Sequence, residues 1–437
     1  MKNQKYLQDF IRFSSLNVLG MIGLSCYILA DTYFVSKGLG ANGLTALNLA
    51  IPVYSFIHGC GLMIGMGGGT WYSILKSKHD DPGANRIFTH TVWLAAAFSI
   101  FFMIAGLFFS APLIKLLGAN ESVFHMSKTY LQVILLFSPA FLINNVLLCF
   151  VRNDGAPHLS MTAMIGGSLS NVVLDWVFIF PCQMGIFGAV FATGLAPVIS
   201  ILLLSPHLIR GKNQFHLIKS RLSAGSIVSI LSSGLPSLLA EVSSGIVMIV
   251  FNFIILHLQG NVGVAAYGVV ANLSLVIIAV YTGIAQGIQP ILSRSYGAGN
   301  HTAVKVTLRY ALIAMLVISA LLYPILFFGA QQIANVFNSE QNMVLQTLAV
   351  EGIRFYFTAC PFAGFNIILS IYFTSTGRSR PAQTISFLRG FLLIIPMAFL
   401  LSRMGGITGV WCAFPATELL VATVGCILYL HLTVKYK

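Results

Sequence analysis

Charged side chains are scarce in this sequence. Only 8% of its 437 residues are charged and 11 are acidic, whereas 57% are hydrophobic. The mean hydropathy is +0.87. A water-soluble protein of this length does not bury that much apolar surface, so the composition excludes a soluble domain and indicates an integral membrane protein.

Motifs for metal, phosphate or nucleophilic chemistry are also lacking. The seven cysteines do not have the spacing of metal ligands, and the ten histidines are scattered. The glycine-rich run at 61–69 lacks the Gly-Lys-Ser/Thr ending of a phosphate-binding loop, and its glycine at every fourth position favours close helix packing instead. We therefore expect neither an enzyme nor an ATPase, and no cofactor. Transport would have to run on an ion gradient.

What the sequence does contain is long apolar segments. A helix needs about 20 apolar residues to cross the hydrocarbon core of a bilayer. The sequence holds twelve such stretches, at 11–36, 43–74, 88–114, 125–151, 157–181, 185–209, 223–256, 262–293, 303–331, 346–375, 381–402 and 406–433. The first is too long for the apolar core of a cleavable signal and lacks a clear small-residue cleavage site.

The net charge of +13 is explained by topology. If the N-terminus is cytoplasmic, most Lys and Arg residues fall in inside segments, Arg152 among them, and the outside loops hold Lys37, Lys115, Lys128 and Arg403. This bias follows the positive-inside rule and predicts that both termini are cytoplasmic. Nucleic acid is not expected as a partner.

The two halves are weak copies of one unit. A shift of about 220 positions superimposes glycines and prolines of the first half on those of the second. We predict a six-helix lobe at 1–212, a cytoplasmic linker at 213–222 and a second lobe at 223–437. Because each copy has an even number of helices, both copies begin on the same side of the membrane. We therefore predict an all-α membrane protein whose two lobes are related by a parallel pseudo-twofold repeat, with a substrate site between the lobes.

Two acids lie within apolar segments of the first half alone. Asp31 and Asp175 are each six residues from the outer end of a predicted helix, which places both about 9 Å below the boundary. Asn171 lies one turn before Asp175 on the same face. An ionisable group in hydrocarbon is costly, so the pair is a candidate site that takes up a proton or holds a small cation. The alternative is two buried acids with ordinary structural partners.

Three further acids within predicted helices lie in the second half. Glu241 is near mid-membrane and is predicted either to face the central cavity or to be structural. Arg389 and Glu418 share a middle depth, which favours a structural ion pair. Glu351 and Arg354 are three residues apart and are predicted to pair near the outer interface.

The sequence resembles the multidrug and toxic compound extrusion (MATE) family over nearly its whole length, and most closely the bacterial DinF-like and MepA-like branch. The resemblance rests on these pieces in order: Ala-Asp-Thr-Tyr-Phe-Val at 30–35, Gly-Leu-Gly at 38–40, Asn-Val-Val-Leu-Asp at 171–175, Gly-Ala-Val-Phe-Ala-Thr at 188–193, Gln-Gly-Ile-Gln-Pro at 286–290 and Tyr-Gly-Ala at 296–298.

The resemblance implies a transporter that exports amphiphilic organic cations, drugs or dyes in exchange for H⁺ or Na⁺, as its two lobes rock between outward-open and inward-open states. It also implies an ion site, with Na⁺ as one candidate occupant, formed by Asp31, Asn171, Asp175 and Thr193. A bacterial cytoplasmic membrane and a monomer are expected.

The sequence departs from the family pattern in three places. Glu241 comes about one turn earlier than the corresponding acid of some members, residues 355–376 contain no acid, and residues 11–35 contain no proline. An alternative is a flippase for lipid-linked oligosaccharides from the same superfamily, although such proteins often have more basic cavities. A membrane receptor would not need a six-plus-six repeat.

Overall fold

The computed structural model describes residues 2–338 and 341–434, which are almost entirely helical and contain no β-strand. These residues form nine helical stretches long and apolar enough to cross a membrane, when one bent pair is counted as a single stretch. Three of the nine are each broken into two at a glycine. The described residues therefore form twelve spans, which we number in chain order.

The first six spans occupy residues 2–209. Spans 1 and 2 form the helix Lys2–Ser77, which breaks at Gly40. Span 3 is Asp81–Phe108, followed by the short helix Ser110–Leu116. Span 4 consists of Glu121–Leu136 and Ser138–Asn153, which meet at a 46° bend. Spans 5 and 6 are Pro157–Ile179 and Gly185–Ile209.

The second six spans repeat this pattern. Spans 7 and 8 form Ala224–Gly297, which breaks at Gly260, and span 9 is His301–Phe337. Span 10 joins Met343–Tyr356 to Cys360–Ser375 through the 3₁₀ turn Phe357–Ala359. Span 11 begins with Ser379–Phe387 and the π-helical turn Leu388–Leu392, then enters Ile394–Val434, which breaks at Gly406 and continues as span 12. The predicted linker, 213–222, lies outside helices between the two halves.

Most of the observed spans are longer than the predicted segments. Span 1 begins at residue 2 rather than 11, and span 3 begins at residue 81 rather than 88. The added turns are polar: span 3, for example, begins with Asp81 and is capped by Asp80, whose side chain accepts a hydrogen bond from Gly83. Hydropathy detects only the apolar part of a helix, so it misses turns that extend beyond the hydrocarbon.

The repeat is visible in the backbone. Gly40 and Gly260 occupy equivalent positions and have φ, ψ of 67°, −161° and 64°, −158°. Gly185 and Gly406, which also correspond, have φ of 61° and 57°. Residues with a side chain rarely adopt these angles, so glycine is required where a span ends and the chain turns back.

Each lobe has its own apolar core, and each core includes one residue at the start of the other lobe's first span. Phe10 of span 1 is 7% exposed and belongs to the second-half core, where it contacts Tyr310. Ile230 of span 7, at the equivalent position, is fully buried in the first-half core. Spans 1 and 7 therefore cross between the lobes at the end where both begin, which we call the terminal side.

The lobes meet closely at two glycine crossings in the terminal half of the molecule. A Cβ on Gly67 would lie 1.9 Å from the carbonyl oxygen of Ile230, and one on Gly287 would lie 2.6 Å from Cα of Ser14. On the opposite side, Gly245 of span 7 and Gly268 of span 8 have no atom within 4 Å of such a Cβ. The lobes are therefore in close contact on the terminal side, and no such contact is made at Gly245 or Gly268.

Candidate functional site

The two acids of the first lobe lie together. Asp31 of span 1 is 8% exposed and Asp175 of span 5 is fully buried, and their carboxyl groups are within hydrogen-bonding reach of each other. Two carboxylates offer only acceptors, so a proton shared between them or a cation bound by both would relieve this contact. The Oδ1 atom of each has no hydrogen-bond partner among the described residues.

Asn171 connects the acids to span 6. With its amide oriented to satisfy its neighbours, its nitrogen donates to Oδ2 of Asp175 at 2.9 Å, and its oxygen accepts from the backbone N–H of Thr193 at 3.2 Å. Asn171 is fully buried and Thr193 is 4% exposed. The structure thus brings together the four residues named as the predicted ion site.

Three tyrosines complete this cluster and were missed at the sequence level. The Tyr130 side chain of span 4 lies beside the Thr193 side chain and close to both aspartates. The hydroxyl groups of Tyr27 and Tyr54 are 2.8 Å apart. Tyr27 lies one turn before Asp31, a spacing that would have indicated it, whereas nothing in the local sequence of span 4 points to Tyr130.

No basic residue balances the acid pair. The three ion pairs among the described residues are Lys76–Asp81, His207–Asp154 and Arg389–Glu418. A buried carboxylate without a cationic partner is unstable in an apolar surrounding, so the cluster favours a bound proton or a bound cation. The residues present offer oxygen atoms, which suit either.

The acid cluster adjoins a cleft, which we call the central cleft, whose walls come mainly from the first lobe, with Glu241 and Gln286 added by the second lobe. The cleft encloses about 800 Å³ not filled by protein atoms, including its open part, and its walls include Tyr27, Tyr54 and Thr193 from the cluster. Glu241 of span 7 lines the same cleft and packs against Gly59 of span 2. Of the two predictions for Glu241, the structure therefore places it on the cavity wall.

The closed end of the cleft holds Arg152. Residues 138–153 form a helix, and Arg152 is 2% exposed. The prediction that Arg152 lies on the inner side of the membrane stays a prediction, but its side chain packs between the lobes instead of reaching solvent.

Comparison with known proteins identifies the family. A family model described as MatE matches residues 18–177 and 236–400 of this chain. The chain belongs to the MatE family.

Named relatives extend the match over almost the whole chain. The multidrug export protein MepA of Staphylococcus saprophyticus is 24% identical over 426 residues, covering 97% of this chain and 93% of MepA. A MepA of Staphylococcus aureus is 24% identical over 433 residues, covering 96% and 93%. These relatives confirm the predicted MepA-like branch.

Solved structures confirm the fold. A crystal structure of MATE in complex with MaL6 matches with a TM-score of 0.90 and 25% identity, covering 98% of this chain and 96% of that one. The outward-facing conformation of a multidrug resistance MATE family transporter matches with a TM-score of 0.89 at 24% identity and the same coverage. The MatE fold, with twelve spans in two lobes, is therefore the fold of this multi-pass membrane protein.

In the second lobe of this MatE protein, the buried acid Glu418 is paired with a cation. Nε of Arg389 lies 2.5 Å from Oε1 of Glu418, and Nδ2 of Asn366 donates to Oε2 of the same carboxylate at 2.7 Å. Glu418 is fully buried. The ion pair predicted between these residues is present, and it lies at the π-helical turn of span 11.

The prediction that Glu351 and Arg354 pair is wrong. Glu351 accepts a hydrogen bond from Thr408 of span 12. The guanidinium of Arg354 lies over the ring of Phe327, 5.1 Å from its centroid, in span 9. Residues three apart on a helix are neighbours, but here each side chain contacts a residue of another span instead: Glu351 contacts Thr408, and Arg354 contacts Phe327.

Proposed function

We propose that this protein is a secondary transporter that exports amphiphilic organic cations across a bacterial cytoplasmic membrane in exchange for H⁺ or Na⁺. The observation that carries the proposal is the buried Asp31–Asp175 pair, which has no basic partner and adjoins the central cleft. Its relatives are named multidrug export proteins, which supports small molecules as substrates.

The ion binds at the carboxyl groups of Asp31 and Asp175. Asn171 orients Asp175 through its amide, and Thr193 and Tyr130 add hydroxyl oxygens close by. A proton would neutralise one carboxylate, whereas Na⁺ would be held by the oxygens of the cluster. Either occupant removes the cost of an uncompensated charge in the lobe.

Exchange requires that the ion and the substrate favour different states or compete for one site. Tyr27, Tyr54 and Thr193 line both the acid cluster and the cleft, so a cation in the cleft and an ion at the acids act on the same side chains. With both termini cytoplasmic, the cleft of this structure faces outward. The protein acts as a monomer, because each chain contains both lobes and the residues that line the cleft.

The test is efflux of a fluorescent cationic dye from proteoliposomes under a pH gradient alone or a sodium gradient alone. We expect one gradient to drive dye movement and thereby to identify the coupling ion. Protein-free liposomes and liposomes without a gradient are the controls. Folded protein that moves dye under neither gradient would contradict the proposal, and movement of a lipid-linked oligosaccharide instead would establish the flippase alternative.

A further inference from the structure

Arg152 is a buried cation that faces no carboxylate. Its Nη1 donates to Oδ1 of Asn17 at 2.6 Å and to Oε1 of Gln286 at 3.0 Å, which are neutral amide oxygens. Its Nη2 reaches only sulfur atoms, those of Met66 at 3.3 Å and Cys149 at 3.6 Å, and its Nε has no partner. None of the three ion pairs among residues 2–338 and 341–434 includes it.

This environment leaves the positive charge uncompensated. Neutral acceptors and thioether or thiol sulfur satisfy some N–H groups, but they do not neutralise a guanidinium. A guanidinium presents a planar fork of donors that matches the two oxygens of a carboxylate. The group that would complete the environment of Arg152 is therefore an anion.

Arg152 also lies in the wall of the cleft in which we propose that the substrate binds. It lines the central cleft together with Asn145 and Gln286, at the end closed by the glycine crossings. Glu241 lines the same cleft beside Gly59, and Met66 at Arg152 lies two turns further along span 2. The acidic and basic groups are thus separated by about 10 Å along the cleft.

We propose that Arg152 forms an anion-recognising subsite at the closed end of the cleft, which takes the carboxylate of a zwitterionic amphiphile whose cationic group lies toward Glu241 and the acid pair. The ligand carboxylate replaces the amide oxygens of Asn17 and Gln286 on the guanidinium. The subsite rests on the proposed function, since it divides the substrates of that same cleft into those with and without an anionic group.

A competing role is purely structural. Asn17 belongs to span 1 and Gln286 to span 8, so Arg152 of span 4 bridges the two lobes. A bridge alone would affect every substrate equally, because its loss would alter the closure of the lobes rather than the recognition of one chemical group. A pair of ligands that differ only in the carboxylate separates the two roles.

The test uses rhodamine 110, which has a free carboxylate, and rhodamine 123, its methyl ester. Binding of each dye to the purified full chain in detergent is measured by fluorescence anisotropy. In the wild type we expect the free acid to bind at least as tightly as the ester. Arg152→Gln should weaken the free acid at least about 10-fold and leave the ester within about twofold, because only the acid loses a charged partner.

Two variants serve as controls. Arg152→Lys retains the charge but not the fork of donors, so it should bind the free acid more tightly than Arg152→Gln does and less tightly than the wild type. Gln286→Ala removes one arm of the bridge and retains the guanidinium, so it should not weaken the free acid selectively. Equal losses for both dyes in Arg152→Gln and Gln286→Ala would establish the structural bridge and overturn the subsite.

If Arg152→Gln does not fold, the affinities of the wild type for the two dyes still test the subsite. Free acid that binds the wild type more than about 10-fold more weakly than the ester would overturn the subsite. Failure of the proposed function looks different, because folded protein would then bind the dyes without moving either of them under an ion gradient.

Discussion

The two lobes have the same backbone and different polar interiors. In the first lobe, Asn171 contacts an acid, Asp175, whose charged neighbour is a second acid. In the second lobe, Asn366 contacts an acid whose neighbour is Arg389. The comparison shows that the duplicated fold buries polar groups at similar places in both lobes. In the function we propose, the charge balance decides whether such a group exchanges an ion or is permanently satisfied.

The largest expected effect is on the unbalanced acids. Asp31→Asn or Asp175→Asn should reduce gradient-driven dye efflux to the level of protein-free liposomes, because a neutral amide has no charge to exchange. The variants should remain folded and membrane-inserted, since the substitution removes a buried charge rather than exposing one. Asp81→Asn, at an acid with a 62% exposed side chain paired to Lys76, is the matched control. Wild-type efflux by both variants would remove the first lobe from the coupling mechanism.

The balanced pair should respond through stability instead. Arg389→Ala leaves the buried Glu418 carboxylate unpaired and should cost about 3–5 kcal/mol of stability, measured by thermal unfolding in detergent. The double variant Arg389→Ala with Glu418→Gln should recover most of that loss, because neither charge remains. A normal melting temperature combined with a changed substrate range would assign Arg389 to recognition.

Closure on the terminal side should depend on the glycine crossings. A Cβ on Gly234 would lie 1.7 Å from the carbonyl oxygen of Met63, whereas one on Gly245 would meet no atom within 4 Å. Gly234→Ala should therefore disfavour the closed state, and Gly245→Ala should not. We expect alkylation of the buried Cys149, resolved by mass spectrometry, to accelerate about 10-fold in the first variant, which corresponds to ~1.4 kcal/mol between the states. Equal rates of Cys149 alkylation in the two variants would contradict closure of the lobes on the terminal side.

The smallest effect concerns the hydroxyl group of Tyr130. Tyr130→Phe removes one hydrogen bond beside Thr193 and should raise the half-saturating ion concentration for dye efflux by about 2–10-fold, the value of a single hydrogen bond. Tyr6→Phe, at a tyrosine that contacts Asn300 on the terminal side, is the control. An unchanged half-saturating concentration would place Tyr130 outside the ion site.

Much of this arrangement could be predicted from the sequence by counting residues along helices. The shared depth of Asp31 and Asp175 followed from the rise per residue and from the ends of two apolar segments, and Asn171 followed from helical spacing. Arg389 and Glu418 were the polar groups of opposite charge at a matching depth in the second half. Each of these predictions needed only the position of a residue along its helix, which gives its depth in the membrane, or the helix face on which it lies.

What could not be predicted depends on contacts between helices. Tyr130 has no neighbour in the sequence that marks it, because its partner Thr193 lies on another span. Arg152 follows the last residue of a predicted apolar segment, so it was counted with the inside segments and its contacts with the second lobe were missed. Glu351 and Arg354 satisfied a spacing rule that tertiary partners overrode. The side on which the lobes close could not be predicted either, because the inward-open and outward-open states have the same hydropathy pattern.

The exchange of Phe10 and Ile230 between the two cores has a consequence for biosynthesis. The first half leaves the ribosome with the beginning of span 1 prepared for a surface that has not yet been translated, and with a gap in its own core that only span 7 fills. Each half therefore contributes a residue to the core of the other. We expect the nascent first half to remain in the membrane with these faces unpaired until span 7 is made, and the two halves to finish folding together.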